Sequence, residues 1–223
     1  MKIGVIGAGF IGRAVAQRAL AAGHEVMLSN SRGPQTMSSV VSGIRGVKVG
    51  SAEDAAQFGD VVLVAIPFEH YRKVPAQWLA GKTLLDANNY YPERDGHFPA
   101  LDRFETTTSR LLAEHFTHSK VIKVFNAIFA ADITDHARPH GAPDRRALPV
   151  AGDDAVAKAQ VITLLDELGF DAVDAGSLDE SWRFERAKPA YCVALDQPGL
   201  KAALQAAERT VELPPVNREH THA

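Results

Sequence analysis

The stretch Met1-Lys-Ile-Gly-Val-Ile-Gly-Ala-Gly-Phe-Ile-Gly12, at the start of the chain, predicts a strand that turns sharply into a helix. Its glycines Gly7, Gly9 and Gly12 have the spacing G-x-G-x-x-G. An apolar strand precedes the glycines, and a helix and a second strand over 25–28 follow them. Because this is the context in which the motif binds a dinucleotide, the stretch predicts a βαβ nucleotide-binding unit.

The three glycines have different predicted tasks. Gly7 permits the tight turn out of the strand, Gly9 lets the backbone approach a pyrophosphate, and Gly12 lets the helix pack closely on the sheet. The first N–H groups of the helix have no partner within it and would bind the phosphates. The alternative, a glycine turn in a doubly wound domain that has lost its ligand, stays open.

Length and composition are typical of a globular chain with one large domain, or with one large and one small domain, in 223 residues. The net charge of −3 gives no reason to expect nucleic acid or an anionic membrane as a partner. No apolar run reaches the about 18 residues that a membrane span needs. The N-terminal segment also lacks the pattern of a signal peptide. We therefore expect a cytoplasmic protein.

Strands alternate with helices along most of the chain, which predicts an α/β fold. It would be a Rossmann-type doubly wound parallel sheet with the strand order 3-2-1-4-5-6. The run Val61-Val-Leu-Val-Ala-Ile66 is continuously apolar, as in a central strand that is buried on both faces. Ser51-Ala-Glu-Asp54 has the pattern of a capping box at the start of a helix. Further strands are predicted at 47–49, 82–88, 120–125, 146–152 and 170–173.

The remaining helices and loops are predicted from periodicity, caps and prolines. Helices are expected at 34–41, 68–79 (with Pro75 as an end or a kink), 107–115, 155–168 (capped by Asp153), 177–186 and 199–211. Loops are expected at 89–103 and 133–146. The chain then divides into a dinucleotide-binding Rossmann domain over 1–135, a small C-terminal α/β extension over 146–213, and a frayed polar tail over 214–223.

The residues that follow the second strand predict which dinucleotide binds. NAD-preferring sites place an Asp or Glu about 20 residues beyond the glycine turn, where it bonds the ribose 2′-hydroxyl. Here the segment is Ser29, Asn30, Ser31 and Arg32, without a carboxylate. Its hydroxyls, amide and guanidinium suit a 2′-phosphate, and Arg32 can also stack on adenine. The sequence therefore predicts NADP(H) rather than NAD(H).

Three strand ends are expected to meet where the nicotinamide would lie. Ligands of open α/β sheets bind at the carboxyl ends of the strands, beside the first strand. The residues at these ends are Ile66, Pro67, Phe68, Asn88, Asn126 and Ala127. Pro67 would keep the backbone rigid, Phe68 would cover a ring face, and the two asparagines would bond the carboxamide or a substrate carbonyl. For each asparagine, the alternative is a turn residue that bonds its own backbone.

Other candidate residues have weaker support. His70 follows the fourth strand and is expected on a solvated face rather than in the pocket. His136 and His140 lack a spacing typical of metal sites, so no metal is predicted. Ser109 and the single cysteine, Cys192, lie in no motif that activates a nucleophile, and Cys192 is expected to be a buried structural thiol. No catalytic acid or base is recognisable, which suits hydride exchange between two cofactors.

Several motifs, in this order and spacing, together resemble one family. They are Lys2–Gly12, Asn30–Gly33, Val64–Pro67, Lys123–Asn126, Val150–Asp154 and Leu168–Leu178. The set resembles the NADPH-dependent deazaflavin-coenzyme (coenzyme F-420) oxidoreductase-like family. That family is also similar to the cytosolic reductase domain of membrane ferric reductases. The resemblance extends over about residues 1–180.

The resemblance implies an NADP(H)-dependent oxidoreductase that transfers a hydride between the nicotinamide and a flavin, a deazaflavin or another small-molecule acceptor. It implies a pyrophosphate on Gly7, Ala8, Gly9, Phe10 and Ile11, a 2′-phosphate on Ser29 to Arg32, and a nicotinamide beside Ile66, Pro67 and Asn126. The second coenzyme would lie over the nicotinamide, against the C-terminal part, through which family members commonly form homodimers. The alternatives are a redox sensor without turnover and a dehydrogenase of a small carbonyl or imine compound.

Overall fold

One mostly parallel sheet of eight strands organises the protein in the computed structural model, which describes residues 1–214. The strands are β1 (Lys2–Ile6), β2 (Glu25–Ser29), β3 (Lys48–Val49), β4 (Val61–Val64), β5 (Thr83–Asp86), β6 (Lys120–Lys123), β7 (Ala147–Gly152) and β8 (Asp171–Asp174). The tail predicted to be frayed over 214–223 lies, from residue 215 on, outside the described residues.

The order across the sheet is β3-β2-β1-β4-β5-β6-β7-β8. The predicted order 3-2-1-4-5-6 is therefore confirmed, and every pairing within it is parallel. Beyond it, β7 pairs antiparallel with β6, and β8 pairs parallel with β7. The sheet thus continues into the C-terminal part of the chain. The division into a domain over 1–135 and an extension over 146–213 stays a prediction.

Helices cover both faces and the ends of this sheet. The α-helices are α1 (Phe10–Ala21), α2 (Ala52–Phe58), α3 (Pro92–Asp95), α4 (Pro99–Asp102), α5 (Thr108–His115), α6 (Ala130–Asp135), α7 (Ala155–Glu167) and α8 (Gln197–Gln205). The 3-10 helices are Pro34–Thr36, Phe68–Lys73, Ala76–Leu79 and Leu178–Phe184.

Prolines account for several differences from the predicted elements. The helix predicted over 34–41 is only the 3-10 turn Pro34–Thr36. The helix predicted over 68–79 is two 3-10 helices, because Pro75 lacks the N–H that a continuous helix would use and separates them. The loop predicted over 89–103 contains α3 and α4, each of which begins at a proline, a residue that suits the first helical position.

Three C-terminal boundaries also differ from prediction. The loop predicted over 133–146 begins inside α6. The helix predicted over 177–186 is a 3-10 helix, and the helix predicted over 199–211 corresponds to α8, which ends at Gln205.

Helix caps follow the sequence at α2 but not at α7. The capping box of Ser51 and Asp54 is confirmed. The predicted cap of α7, Asp153, is wrong: the carboxylate of Asp154 accepts the hydrogen bond from the helix backbone instead. Asp153 is engaged by Arg110, whose guanidinium lies 2.9 Å from its carboxylate. An ion pair with a distant element therefore decides which of two adjacent carboxylates caps the helix.

The sheet is buried on both faces, as the apolar run of β4 predicts. Val61 and Leu63 belong to the core cluster under α1 and α7, whereas Val62 and Val64 belong to the cluster on the opposite face. None of these four side chains has exposed surface. Since the middle of the sheet is filled with apolar side chains, polar site residues are left to the strand ends.

Gly12→Ala should destabilise the protein, because a Cβ at Gly12 would lie 1.9 Å from the carbonyl oxygen of Gly7. We expect the free energy of unfolding to fall by about 1–3 kcal/mol, the typical cost of overpacking, in urea denaturation. Gly9→Ala is the matched control, since no atom lies within 4 Å of a Cβ there. Equal midpoints for Gly12→Ala and the wild-type protein would contradict the close packing of α1 on the turn.

Candidate active site

The glycine-rich turn leaves the N-terminus of α1 open to a ligand. Gly7 has a φ of 113°, which permits the sharp exit from β1, and its N–H donates to the Ser29 carbonyl oxygen at 3.0 Å. Gly9 is the N-cap of α1 and has no side chain to cap the helix. Because no atom lies within 4 Å of a Cβ at Gly9, a ligand can approach the backbone here. The arrangement is that of an anion site at a helix N-terminus.

A groove of about 480 Å³ extends from this turn across the ends of β2 and β4. Its walls include the glycine-rich turn, the loop Asn30–Arg32 and the strand end at Ile66 and Pro67. The 3-10 segments after β4 contribute His70, Lys73, Val74 and Trp78. The groove therefore brings the predicted pyrophosphate and 2′-phosphate residues to one edge of the sheet.

The loop after β2 is shaped by its own asparagine. The side-chain oxygen of Asn30 accepts from the N–H of Arg32 at 3.0 Å, and its amide nitrogen donates to the Thr36 hydroxyl at 2.9 Å. Gly33, with a φ of 87°, ends the loop and is the N-cap of the 3-10 turn Pro34–Thr36. Ser31 and Arg32 are exposed, and in residues 1–214 the Arg32 guanidinium makes no ion pair. Both side chains are available to a phosphate.

Part of the predicted cofactor set does not line this groove: Phe10, Ile11, Gly12, Ser29, Phe68, Asn88, Asn126 and Ala127. The Ser29 hydroxyl is buried and donates to the Val5 carbonyl oxygen at 2.9 Å, because Ser29 still belongs to β2 and faces the core. Phe68 is buried among aromatic rings on the other face of the sheet, so it covers no open surface. Phe10 is 78% exposed, whereas Ala127 is buried.

The groove contains side chains that the sequence analysis missed or misplaced. His70 lines the groove, although it is predicted on a solvated face. A 3-10 helix has three residues per turn, so Lys73 lies on the same side as His70. Lys73 thereby gives the groove a second cation besides Arg32, and Trp78 gives it an aromatic surface. The only sequence signal was a short basic run, which is equally typical of an exposed surface.

Asn88 and Asn126 lie beyond the ends of β5 and β6, each with one half of its amide hydrogen-bonded. The Asn88 oxygen accepts from the N–H of Ile66 at 3.0 Å, and the Asn126 nitrogen donates to the Phe184 carbonyl oxygen at 2.9 Å. Within the described part of the chain, the Asn88 nitrogen and the Asn126 oxygen are buried without a hydrogen-bond partner. One free donor and one free acceptor are what a carboxamide ligand requires.

A buried ion pair that the sequence analysis missed lies next to these asparagines. The side chains of Lys123 and Asp86 have no exposed surface, and their charged atoms are 3.2 Å apart. The Lys123 ammonium also donates to the Asn88 carbonyl oxygen and to the Thr108 hydroxyl, the latter at 2.8 Å. Asp86 accepts from the Ser109 hydroxyl at 2.6 Å. Ser109 is therefore a structural residue, and the network fixes the backbone at Asn88.

The remaining predicted candidates make structural contacts. Cys192 is buried, as predicted, and burial raises the pKa of its thiol to about 11, which disfavours the nucleophilic thiolate. A ring nitrogen of His136 lies 3.0 Å from the Arg146 guanidinium, and one of His140 lies 2.8 Å from the Asp166 carboxylate. Among residues 1–214, no three His, Cys, Asp or Glu side chains form a group that could hold a metal ion.

Comparison with known proteins agrees with this arrangement. The family model described as NADP oxidoreductase, coenzyme F420-dependent, matches residues 2–90. A crystal structure from Arthrobacter sp. FB24, whose assigned function is F420-dependent NADP reduction, is 30% identical with a TM-score of 0.68. The alignment covers 80% of this chain and 86% of that one. The chain belongs to this family.

Other relatives of this NADP oxidoreductase family differ in length. A Sinorhizobium meliloti protein described as hypothetical is 31% identical with a TM-score of 0.76, over 87% of this chain and 95% of that one. The rat metalloreductase STEAP3 is 31% identical over 180 residues, which are 79% of this chain and 34% of STEAP3. The chain thus spans about a third of the length of the curated metalloreductases it matches.

The groups found in this member of the NADP oxidoreductase family fit NADP(H). The open backbone at Gly9 suits the pyrophosphate, Arg32 and Lys73 suit the 2′-phosphate, and the half-bonded amides of Asn88 and Asn126 suit the carboxamide. None of the described helices is long and apolar enough to cross a membrane.

Arg32→Ala should weaken the binding of NADPH and spare that of NADH, because only NADPH has the 2′-phosphate. Loss of one charge-assisted contact, about 1.5–3 kcal/mol, predicts a roughly 10- to 100-fold higher Kd in fluorescence titration. Arg103→Ala is the matched control, since it removes an exposed guanidinium outside the groove. Equal losses for both nucleotides would show that Arg32 does not bind the 2′-phosphate.

Lys123→Met should destabilise the protein by about 3–5 kcal/mol, because it leaves the Asp86 carboxylate buried without its cation. Urea denaturation measures this loss, and the double variant with Asp86→Asn should recover part of it. Lys120→Met, which removes an exposed lysine from the same strand, is the control. A loss no larger than that of the control would mean that the pair does not hold the strand ends together.

Proposed function

We propose that the protein is an NADP(H)-dependent reductase that transfers a hydride between the nicotinamide and a flavin- or deazaflavin-type acceptor. The observation that carries this proposal is a second cleft, of about 460 Å³. Thr108, in its wall, accepts a hydrogen bond from Lys123, which fixes Asn88. Glu185, also in its wall, follows the residue that accepts a hydrogen bond from the Asn126 amide. Hydride transfer requires two substrates held side by side, and the two clefts offer one place for each.

The second cleft has the surface that a flat ring system requires. Tyr90, Phe104 and Trp182 give it aromatic walls between the segment after β5 and the C-terminal segment. Its cations are Arg186, Lys188 and Arg209, and its carboxylates are Glu93, Asp102, Glu185 and Glu212. Because the charges are mixed, the aromatic surface rather than the net charge favours a planar ring as the ligand.

Hydrogen bonds connect this cleft to the nicotinamide residues. Thr108, on the cleft wall, donates to the Glu185 carboxylate at 2.6 Å and accepts from Lys123 at 2.8 Å. Lys123 also donates to the Asn88 carbonyl oxygen. The residue before Glu185 accepts the hydrogen bond from the Asn126 amide. The cleft wall is therefore built from the same network that fixes both asparagines.

In this proposal the reduced nicotinamide supplies the hydride, and the protein supplies position. The N-terminus of α1 and Arg32 hold the phosphates, while Asn88 and Asn126 orient the carboxamide. The aromatic walls of the second cleft hold the acceptor and exclude water. A homodimer, as the family resemblance implies, is a further part of the proposal.

Rapid mixing of the NADPH-loaded protein with riboflavin, FMN, coenzyme F420 and ferric citrate tests this function, since loss of NADPH absorbance reports turnover directly. We expect oxidation by a flavin or by the deazaflavin, slower reaction with NADH, and no direct reaction with ferric citrate. The reason is that a ring acceptor can take a hydride, whereas a ferric chelate takes single electrons.

Two variants separate the acceptor cleft from the nucleotide groove. Arg209→Gln, in the second cleft, should raise the KM for the acceptor and leave the Kd of NADPH unchanged. Arg103→Gln, outside both clefts, should change neither constant. Oxidation by none of the acceptors would contradict the proposal and favour a nucleotide-binding sensor. Turnover of small ketones or imines alone would favour a dehydrogenase.

A further inference from the structure

A buried lysine fixes the chain that follows α8 against the second cleft. The segment over 206–213 contains no helix or strand. The Lys188 side chain is buried, and its ammonium group donates to three carbonyl oxygens of this segment: Glu208 at 2.9 Å, Arg209 at 2.8 Å and Val211 at 2.7 Å. An ammonium group has three N–H donors, so all of them are used by the backbone. The segment therefore has a defined position, although it lacks regular structure.

This segment places the guanidinium group of Arg209 in the wall of the second cleft. The Nε–H of Arg209 donates to the Phe104 carbonyl oxygen at 2.8 Å, and the guanidinium lies 5.7 Å from the ring centroid of the buried Trp182. The two terminal nitrogens of Arg209 have no hydrogen-bond partner among residues 1–214. Together they form the planar fork that binds a phosphate or a carboxylate through two parallel hydrogen bonds.

The other cations of the second cleft are already engaged. Lys188 has spent its donors on the backbone, and the Arg186 guanidinium lies 3.6 Å from the Glu93 carboxylate. Within the described part of the chain, Arg209 makes no ion pair. Arg209 is therefore the cation of this cleft that has both an unpaired charge and donors available to a ligand.

The carboxylates of the cleft leave this fork open. Glu185 accepts from the N–H and the hydroxyl of Thr108 at 2.9 and 2.6 Å, and Asp102 accepts from the Tyr90 hydroxyl at 2.5 Å. The exposed Glu212 also lines the cleft, and it makes no ion pair in residues 1–214. Since water surrounds Glu212, whereas two contacts hold Arg209 in place, the guanidinium should dominate the recognition of charge.

We propose that Arg209 binds the phosphate of a phosphorylated ring acceptor, such as FMN or a deazaflavin 5′-phosphate, and thereby selects it over the unphosphorylated form. This inference rests on the proposed function, and it names the chemical class of the second substrate. Phe104 and Trp182, which hold Arg209, also form aromatic walls of the cleft. A ring packed on those walls would have its phosphate, at the end of a flexible side chain, within reach of the fork.

The two basic residues have different parts in this proposal. Arg209 binds the acceptor and takes no part in the transfer of the hydride. Lys188 is a positioning residue, because it contacts the backbone of the segment and acts on the acceptor only through Arg209. Loss of either side chain should therefore affect the choice between acceptors rather than the chemistry of the ring.

Titration of FMN and of riboflavin with the NADP⁺-loaded protein, followed by flavin fluorescence, tests the phosphate site. The two flavins differ only in the phosphate, and saturating NADP⁺ keeps the flavin phosphate out of the nucleotide groove. The Kd of FMN should be about 10- to 100-fold lower than that of riboflavin, the effect of one charge-assisted contact. Arg209→Gln should abolish this preference, and Arg209→Lys should retain part of it, because an ammonium group keeps the charge but lacks the fork.

The riboflavin measurement shows whether the cleft is intact. Its Kd should be the same in Arg209→Gln and in the wild-type protein, whereas a misfolded cleft would bind both flavins poorly. Arg103→Gln is the matched control, since it removes an exposed guanidinium outside both clefts and should keep the preference for FMN. Equal Kd values of the two flavins for the wild-type protein would overturn the phosphate site. Tighter binding of riboflavin would overturn it too, and would show that Glu212 decides instead.

Lys188→Met tests the positioning of Arg209. Hydrogen exchange of the backbone amides over 206–213 should become faster, because the segment loses three hydrogen bonds, and the preference for FMN should fall with it. Lys201→Met, which removes an exposed lysine from α8, should change neither quantity. Faster exchange with an unchanged preference for FMN would overturn the role of Lys188.

Single-turnover oxidation of bound NADPH separates this inference from the proposed function. FMN and riboflavin should reach the same limiting rate, because their rings are identical, but FMN should reach it at a lower concentration. Equal concentration dependence would overturn the role of Arg209 and leave the proposed function standing. Oxidation by neither flavin and by no deazaflavin would overturn the proposed function, whereas tighter binding of FMN in the NADP⁺ titration would still support the phosphate site.

Discussion

The buried ammonium group of Lys123 is the interaction on which the rest of the site depends. It has no exposed surface and joins Asp86 at the end of β5, the carbonyl oxygen of Asn88 and the hydroxyl of Thr108 at the start of α5. These groups cannot separate without leaving a charge unpaired in the core, which is strongly unfavourable. Because Thr108 also bonds Glu185, the same charge fixes the C-terminal segment to the strand ends.

Features that depend on neighbours along the chain could be predicted from the sequence. The turn at Gly7 and the capping box at Ser51 depend on local backbone geometry, and the apolar run of β4 depends on burial of a whole strand. Features that depend on a single position could not be predicted from the sequence. Asp153 and Asp154 are equally suited to cap a helix, and only an ion pair from a distant helix separates them. Ser29 is the last residue of β2, and that placement turns its hydroxyl inward.

The site could be predicted where it belongs to the first βαβ unit, but not where distant segments assemble it. Arg32 follows β2 directly. Lys73 reaches the same groove only because a 3-10 helix places it one turn after His70. Thr108 and Glu185, which meet in the wall of the second cleft, are 77 positions apart. Their hydrogen bond follows from no periodicity or spacing in the sequence, since it arises from packing of the C-terminal part against α5.

The groups of the site that are open to a ligand follow one another from the glycine-rich turn to the strand ends. Their sequence along the site suits two ligands rather than one. The open backbone at Gly9 and the exposed Arg32 offer positive potential at one end, and the free halves of the Asn88 and Asn126 amides offer a donor and an acceptor at the strand ends. A dinucleotide presents phosphates and a carboxamide in the same order. Beyond the amides, the aromatic walls of the second cleft are formed by Tyr90, Phe104 and Trp182. In the proposed reaction these walls are left for a second molecule, the one that is reduced.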